Sequence, residues 1–353
     1  GGFVSKFDTI SLQWSEPTTS GSIPREYMKY DHCVILGHNI YVYGGYTVHQ
    51  MNILDTSKLL WSTFTSSLIY SGTQNYSATL LNDSILYIGG TFGSYDGCQT
   101  NSNQETTSGQ IPTRKCHHAS VYIPQHNRIL LFYGADDITI NSLDTLTFTW
   151  TIPVILNSGG PLRCLEDHTA TLVGAYVLIA FGYYQTDEDV LISSDIFLLD
   201  VSRKDSYKWV TIYDPINSIQ PVPASPTSTS NFNIGSVITG TIGVTIGMII
   251  GGIPTSPCER AGEEMKWVQC VILGHKIHIY GGFTSHKMNI LDTLQLYWSS
   301  FTSSLMYSGT QFYSATLLND SILYIGGAFS TLGPYCGDVS MLNGCQTNSY
   351  QEV

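Results

Sequence analysis

A pattern that recurs about every 45 residues is the feature that most limits the folds open to this chain. In each occurrence an apolar run ends at a glycine. Four of these glycines stand at positions 44, 89, 134 and 182, which are 45, 45 and 48 residues apart. Repeats of this length are typical of solenoids and propellers, in which each unit buries its apolar faces against its neighbours. The chain is therefore predicted to be an array of similar units.

Each unit has a second half in which an aspartate precedes a tryptophan. The apolar run before the glycines is predicted to be a central strand buried on both faces. The aspartate is expected to begin a turn by accepting backbone N–H bonds, and the tryptophan to lie on an outer strand between adjacent sheets. The signature positions are Gly44, Gly45, Asp55, Trp61, Gly89, Gly90, Gly134, Asp144, Trp150, Gly182, Asp200, Trp209, Gly281, Gly282, Asp292, Trp298, Gly326 and Gly327, with a further pair at Asp8 and Trp14.

A much closer repeat lies on top of this one. Residues 33–90 and 270–327 align without gaps at an offset of 237, and 46 of the 58 positions are identical. This duplication leaves two alternatives for the architecture. Either 267–353 completes a ring begun by the first copies, or the missing part of the ring lies upstream of residue 1. A fused or non-functional tandem duplicate is a further alternative.

The combination of apolar strand, diglycine, L-D-T and tryptophan resembles the kelch repeat, a four-stranded antiparallel β-propeller blade. The resemblance covers roughly 1–214 and 267–353, and it implies an all-β fold. The unit at 77–116 departs from the pattern, because a Cys/Asn/Gln-rich stretch replaces its L-D-T and its tryptophan. The predicted domains are a kelch propeller at 1–214 (partial blade 1–26, blades 27–76, 77–116, 117–165 and 166–214), a Pro/Ser/Thr-rich stalk at 215–232, a transmembrane helix at 233–253, a juxtamembrane linker at 254–266 and duplicated blades at 267–353.

Composition supports this assignment and excludes one class of partner. Only 12% of residues are charged, and the net charge is −12. Too few bases are present to form the Lys/Arg clusters that nucleic-acid binding needs, so no nucleic-acid partner is expected. A Gly-, Thr- and Tyr-rich chain with few helix formers favours strands.

The segment 215–258 contains no charged residue, and 21 consecutive positions of it, 233–253, are long enough to cross a bilayer as a helix. Gly243, Gly247 and Gly251 would lie on one face of that helix, which predicts self-association through a GxxxG contact. A buried strand or a low-complexity linker is the alternative. The basic residues Arg260 and Lys266 favour a cytosolic C-terminal side, which predicts a single-pass membrane protein with an extracellular or lumenal propeller.

Eight cysteines occur without any C-x-x-C motif, so no zinc or thiol-redox site is predicted. Cys33 and Cys270 are expected to be buried, and Cys98–Cys116 or Cys336–Cys345 to close loops in an exported domain. A histidine before the first inner strand recurs at His32, His118 and His168. We expect these side chains to pack between blades rather than to hold a metal, and no cofactor is predicted.

The loops that follow the diglycines are the candidate binding residues, because they emerge at the same end of the propeller as the loops after the fourth strands. The predicted function is a non-catalytic, membrane-anchored scaffold that binds a protein or glycan. Galactose oxidase, a copper enzyme, is also built on kelch-like blades, so a copper oxidase is the alternative, although no local pattern assigns its ligands. The candidate binding residues are Tyr46, Thr47, His49, Asp136, Asp137, Tyr183, Tyr184 and Gln185.

Overall fold

The computed structural model shows a chain that folds almost entirely into short β-strands. It describes residues 4–24, 32–43, 50–65, 73–74, 76–81, 84–89, 91–92, 107–113, 115–135, 137–185, 190–193, 195–213, 248–249, 269–273, 276–280, 287–292, 297–302, 310–318 and 320–329.

Strands from the first half of the chain follow the predicted order of apolar run, turn and Asp-terminated strand. They are β1 Val4–Asp8, β2 Gln13–Ser15, β3 Ser20–Gly21, β4 His32–Leu36, β5 Asn39–Tyr43, β6 Gln50–Asp55, β7 Leu60–Thr65, β8 Thr73–Gln74, β9 Ser77–Leu81, β10 Ser84–Ile88, β11 Thr91–Phe92, β12 Ser108–Gly109, β13 Ala119–Ile123, β14 Arg128–Phe132, β15 Ile140–Asp144 and β16 Thr149–Thr151.

Strands from the second half repeat that order and end in two longer strands. They are β17 Val154–Ile155, β18 Thr169–Val173, β19 Tyr176–Ala180, β20 Tyr183–Gln185, β21 Val190–Ile192, β22 Ile196–Asp200, β23 Ser206–Val210, β24 Ile212–Tyr213, β25 Met248–Ile249, β26 Gln269–Leu273, β27 Lys276–Tyr280, β28 Lys287–Asp292, β29 Tyr297–Thr302, β30 Thr310–Leu318 and β31 Ser321–Phe329.

Five sheets have four or five strands and form the blades. We call them blade 1 (β3–β7), blade 3 (β12–β16), blade 4 (β17–β19, β22 and β23), blade 5 (β26–β29) and blade 6 (β30, β31, β1 and β2). The two-stranded sheet of β9 and β10 is half-blade 2. The main ladders are antiparallel, and in blades 1, 3 and 4 a short parallel strand from the preceding segment adds to the outer edge.

The innermost strands of these sheets form a closed ring. Going round it, β4 lies beside β9, β9 beside β13, β13 beside β18, β18 beside β26, β26 beside β30, and β30 beside β4. The prediction of an all-β propeller is confirmed. Of the alternatives for the second copy, the structure has its described strands, between residues 269 and 329, completing the ring, because they supply blade 5 and half of blade 6.

Blade 6 is made from both ends of the described chain. The strand β1 pairs with β31 over five positions, from Val4 opposite Ile325 to Asp8 opposite Ser321. The half-unit predicted at 1–26 therefore provides the third and fourth strands of a blade whose first two strands come from the second copy. A side-chain and a backbone hydrogen bond from Thr9 to Asp320 O fix the start of the following turn.

The aspartates and tryptophans have the predicted structural roles. At Asp144, one carboxylate oxygen accepts the backbone N–H of Leu146 at 2.8 Å and of Thr147 at 3.0 Å. The tryptophan of each blade packs on the face of the preceding blade, as Trp209 does in the cluster that contains Phe132 of blade 3. Half-blade 2 contributes no tryptophan, in agreement with its departure from the repeat.

The glycines after the second strands were expected to permit a close backbone approach between neighbouring blades, but the approach that they permit lies within one blade. Gly134 and Gly182 have φ of 106° and 86°, and a Cβ on them would lie 2.4 Å from the carbonyl oxygens of Cys116 and Glu166. Both contacts are with the segment that enters the innermost strand of the same blade, rather than with a neighbouring blade.

No α-helix occurs in the part of the chain that the structure describes, where the only helical turn is a 3-10 turn at Pro124–His126. The described ranges therefore contain no helix that is long and apolar enough to cross a membrane. The segment predicted as a transmembrane helix, with its three glycines, lies outside the described residues except for Met248 and Ile249. These two residues form a short strand that pairs with β24.

Candidate ligand-binding face

Two kinds of loop meet at the end of the ring where the inner strands begin. One kind follows the second strand of each blade, and the other connects the outer strand of one blade to the inner strand of the next. We call this end the connector face and define it by the loops 133–139 and 181–185 and the connectors 110–118 and 156–168, without residues 114 and 136. Hydrogen bonds join the two kinds of loop, as from Gly134 N to Leu165 O at 3.2 Å.

Asp137 lies on this face, but its carboxylate is fully used inside the protein. One oxygen accepts the backbone N–H and the hydroxyl of Thr139. The other accepts Thr113 Oγ1 and Lys115 Nζ, each at 2.9 Å. Burial alone would raise the pKa of Asp137, but the hydrogen bonds from Thr139 and Lys115 hold it below its ordinary value. Because these hydrogen bonds are all internal, Asp137 fixes the conformation of the loop 133–139.

Lys115 is the centre of the same network and is almost completely buried, with 1% of its surface exposed. Besides Asp137, its ammonium group donates to Tyr133 O at 3.1 Å and Thr139 O at 3.2 Å. Burial lowers the pKa of Lys115, which the Asp137 carboxylate partly offsets. A buried cation is tolerated only when it is paired and hydrogen-bonded in this way.

Tyr183 and Tyr184 begin the ribbon of β20 and β21. Tyr183 is buried, and its hydroxyl donates to Glu166 Oε2 at 3.0 Å, while the backbones of the two residues form an isolated antiparallel bridge. Tyr184 is half-buried, and burial raises its pKa. Gln185 pairs with Val190 through the backbone. Tyr183 therefore supports the connector face from below, and Tyr184 is the candidate that remains within reach of solvent.

The other candidates, Tyr46, Thr47, His49 and Asp136, lie outside the described residues. The signature glycines at 44, 45, 90, 281 and 282 also lie outside them, whereas Gly89 ends half-blade 2, and positions 326 and 327 fall within β31.

An ion pair links blades 3 and 4 at this face. His117 Nδ1 donates to Asp167 Oδ1 at 2.9 Å, and Asp167 N donates to His117 O at 3.0 Å. Burial opposes the charge on the ring, but the nearby Asp167 carboxylate holds the pKa of His117 above its ordinary value. The two connectors are therefore fixed to each other through both the side chains and the backbones of His117 and Asp167.

The recurring histidines pack between blades. His118 Nε2 forms a 2.8 Å hydrogen bond with Ser77 Oγ of half-blade 2, and the ring is buried. His168 Nδ1 donates to Leu165 O at 3.0 Å, and burial lowers the pKa of His168 to about 4. His32 begins β4. Within the described ranges no group of three His, Cys, Asp or Glu side chains could hold a metal ion.

Two exposed aliphatic side chains on the described part of this face are available to a ligand. Ile138 is 57% exposed between the two anchored residues Asp137 and Thr139, and Leu162 is 89% exposed next to Arg163. Neither residue was predicted from the sequence. The available signal was a lone aliphatic residue in each of two otherwise polar or small-residue loops.

Cys116 is in a disulfide, and its predicted partner Cys98 lies outside the described residues. This disulfide lies one residue from both Lys115 and His117, so it ties down the same connector.

Comparison with known proteins supports the repeat assignment. The chain is 25% identical to human Kelch domain-containing protein 3 over 183 residues, which are 42% of this chain and 47% of that relative. The cattle protein of the same name is 24% identical over 182 residues, with the same shares of each chain. The chain thus spans about half the length of the curated relatives it matches. No family model matches the sequence.

The relatives carry the word kelch in their names, and the blades of this chain combine apolar second strands, glycine turns, Asp-terminated third strands and outer-strand tryptophans. Together these observations identify the chain as a β-propeller protein built from kelch repeats.

Proposed function

We propose that this protein is a non-catalytic scaffold that binds another protein through the connector face. The observation that carries the proposal is the pair of exposed aliphatic residues, Ile138 and Leu162, on loops that internal hydrogen bonds hold rigid. Apolar groups on preorganised loops bind at a low cost in conformational entropy. The largely buried polar side chains of the face, among them Asp137, Lys115 and Tyr183, serve internal contacts, which supports a binding role over catalysis.

The acidic balance of the chain supports a choice among partners. A net charge of −12 disfavours acidic surfaces and favours partners with basic residues around an apolar centre. Aliphatic side chains fit an apolar protein surface, whereas glycan recognition relies on exposed aromatic rings. We therefore propose a protein partner ahead of a glycan.

The double substitution Ile138→Asp and Leu162→Asp tests this function. We expect it to reduce partner recovery in quantitative affinity purification by at least about tenfold, because charging the centre of an interface removes its main apolar contacts. The matched control is Leu146→Asp, at a residue that is 73% exposed at the opposite end of blade 3. Equal recovery of every partner by the double variant and by the control would contradict the proposal.

We also propose that the second copy is an integral part of the protein rather than a fused duplicate. Its strands supply blade 5 and half of blade 6, and β31 pairs with β1. Without them the ring would lack the two sheets between β18 and β4.

Anchoring in a membrane through 233–253 is retained as a proposal, with one geometric condition. Because β1 and β31 belong to one sheet, both flanks of that segment must lie on the same side of a membrane. A single crossing would place the two flanks on opposite sides, so the shared sheet is compatible with anchoring only if 233–253 enters and leaves the membrane on one side. Protease digestion of intact and opened membrane vesicles measures this, and we expect residues 4–213 and 269–329 to be cut or protected together. Protection of only one of the two regions would contradict the shared sheet in blade 6.

A further inference from the structure

The outer edge of blade 4 carries a row of exposed aliphatic side chains. Ile152, Val154 and Leu156 alternate along the segment that contains β17, and they are 51%, 60% and 53% exposed. The residues between them face the protein, because Pro153 is buried and Ile155 packs against the core between blades 3 and 4. Side chains of a strand alternate between its two faces, so the exposed aliphatic residues share the outward face.

The corresponding edge strands of blades 1 and 3 have no such row. β3 is Ser20–Gly21 and β12 is Ser108–Gly109, and all four residues are exposed. Each of these strands pairs in parallel with the outer strand of its blade, as β17 does in blade 4. Small and polar residues suit an edge that only water covers. A row of exposed aliphatic side chains is typical of an interaction site.

The backbone of β17 has one edge turned away from blade 4. Val154 N donates to Asp205 O at 3.0 Å and Leu156 N donates to Tyr207 O at 2.9 Å, so these groups face β23. The N–H and C=O of Ile155 alternate with them and face the other way. β17 is the last strand of its sheet, and among the described residues it pairs with β23 alone. An edge of this kind can accept an added strand.

The end of this strand is held firmly on blade 4. The side-chain amide of Asn157 donates to Trp209 O at 2.9 Å and accepts Trp209 N at 2.8 Å. The turn that follows packs closely on the same tryptophan, since a Cβ on Gly160 would lie 2.3 Å from its ring. A strand that is already fixed can bind a partner without a large cost of ordering.

The surroundings of β17 are basic, although the chain as a whole is acidic. Three of the 15 Lys and Arg residues of the chain, Arg203, Lys204 and Lys208, lie within six positions and are exposed. The parallel register of β17 and β23 brings Lys208 beside Leu156. An apolar row and a group of bases therefore lie together at this edge.

The acids nearby offset only part of that positive charge. Asp205 Oδ1 accepts Arg128 Nε at 3.1 Å, so its charge is paired inside the protein. Asp200 lies across the ladder from Lys208, and one of its carboxylate oxygens accepts Ser202 N at 2.9 Å. Three bases thus stand against one remaining acid. Because complementary charges steer and select partners, this edge favours an acidic one.

We propose that the β17 edge binds an extended segment of a partner protein, in which acidic and apolar residues alternate, by strand addition. The backbone of the segment pairs with Ile155. Its apolar side chains pack against Val154 and Leu156, and its acids reach Lys204 and Lys208. A second copy of the chain fits less well, because it would bring the same bases to both sides of the contact. The site lies on the outer rim and does not depend on binding at the connector face.

A fluorescein-labelled peptide of sequence EEVDVTVDEE serves as the probe against the full chain. Fluorescence anisotropy should show saturable binding with one site. The double variant Val154→Asp and Leu156→Asp should weaken it by at least about tenfold, because the variant removes apolar contacts and adds like charge. The matched control is Ile10→Asp, at an aliphatic residue that is 75% exposed on blade 6, and it should bind as the parent does. The Ile138→Asp and Leu162→Asp protein should also bind the peptide, so this proposal and the connector face can fail separately.

Two further peptide changes separate strand addition from adsorption to an apolar surface. Methylating every second backbone nitrogen blocks one edge of the peptide, so only one of the two alternate sets of methylated positions should still bind. The charge-reversed peptide KKVKVTVKKK should bind at least about tenfold more weakly than the acidic peptide. Lys204→Glu together with Lys208→Glu should remove that preference.

Any one of four results would overturn the proposal. They are the absence of saturable binding, equal binding by the parent and by the double aspartate variant, equal binding of the two methylated peptides, and equal binding of the acidic and basic peptides. Sedimentation velocity supplies a fifth, a dimer of the parent that the double aspartate variant dissolves, which would make β17 a contact between copies. Circular dichroism of each variant checks that the propeller is folded.

Discussion

Replacing Phe7 by Ala is expected to lower the free energy of unfolding by about 3–5 kcal/mol, the cost of removing a fully buried aromatic side chain. Phe7 is 0% exposed and packs in an apolar cluster with residues of blade 5 and of the strands β30 and β31. The substitution leaves a cavity between the strand β1, from the beginning of the chain, and the blade 5 and β31 residues of the second copy. Urea unfolding followed by circular dichroism measures the loss.

The control for this prediction lies three residues away. Ile10 is 75% exposed in the turn after β1, so Ile10→Ala should change stability by no more than about 0.5 kcal/mol. If Phe7→Ala were as mild as Ile10→Ala, the ring would not be closed by β1 in solution. The experiment therefore tests whether β1 pairs with the second copy, as well as the packing of one side chain.

Asp137→Ala is expected to destabilise the protein by about 3–5 kcal/mol, because it leaves the Lys115 ammonium buried without its counter-ion. Lys115 retains its bonds to two carbonyl oxygens, but these carry no full charge. Adding Lys115→Met should restore most of the loss, since an apolar side chain of similar length replaces the buried cation. Chemical denaturation of the single and double variants measures the coupling.

The same pair predicts the sensitivity of the parent protein to acid. The pKa of Asp137 is lower in the folded state than its ordinary value. A carboxylate of this kind contributes its full stability above its unfolded pKa of about 3.9 and loses that contribution as the pH falls through the folded pKa. The parent should therefore lose stability below about pH 4 more steeply than Asp137→Ala. An identical acid dependence in both proteins would contradict the role assigned to the pair.

The sequence was sufficient for the parts of the fold that depend on local pattern. The turn at Asp144 follows from a short carboxylate that can reach the N–H groups two and three residues on. Trp150 and Trp209 lie on outer strands because their distance from the aspartate fits one turn and one short strand. Each of these features involves a few neighbouring residues, so periodicity can reveal it.

The candidate site was less accessible to sequence reasoning. Asp137 and Tyr183 were recognised as polar or aromatic residues on the correct loops, but their use depends on Lys115 and Glu166, which lie 22 and 17 residues away along the chain. The repeat pattern could not show that Lys115 already binds the Asp137 carboxylate or that Glu166 already binds the Tyr183 hydroxyl. Ile138 and Leu162 were missed because an exposed aliphatic residue in a loop looks the same in sequence as one that folds inward.

By itself the sequence determined that the chain forms kelch blades, which of its units lacks a tryptophan, and that two segments are copies of each other. Only the tertiary structure decided which copy receives β1 and β2. Ser84–Ile88 and 321–325 are the same five residues, so local sequence gives β1 no preference between them. Pairing with β31 closes the ring and buries Phe7 and Trp14, and this gain depends on contacts between residues more than 300 positions apart.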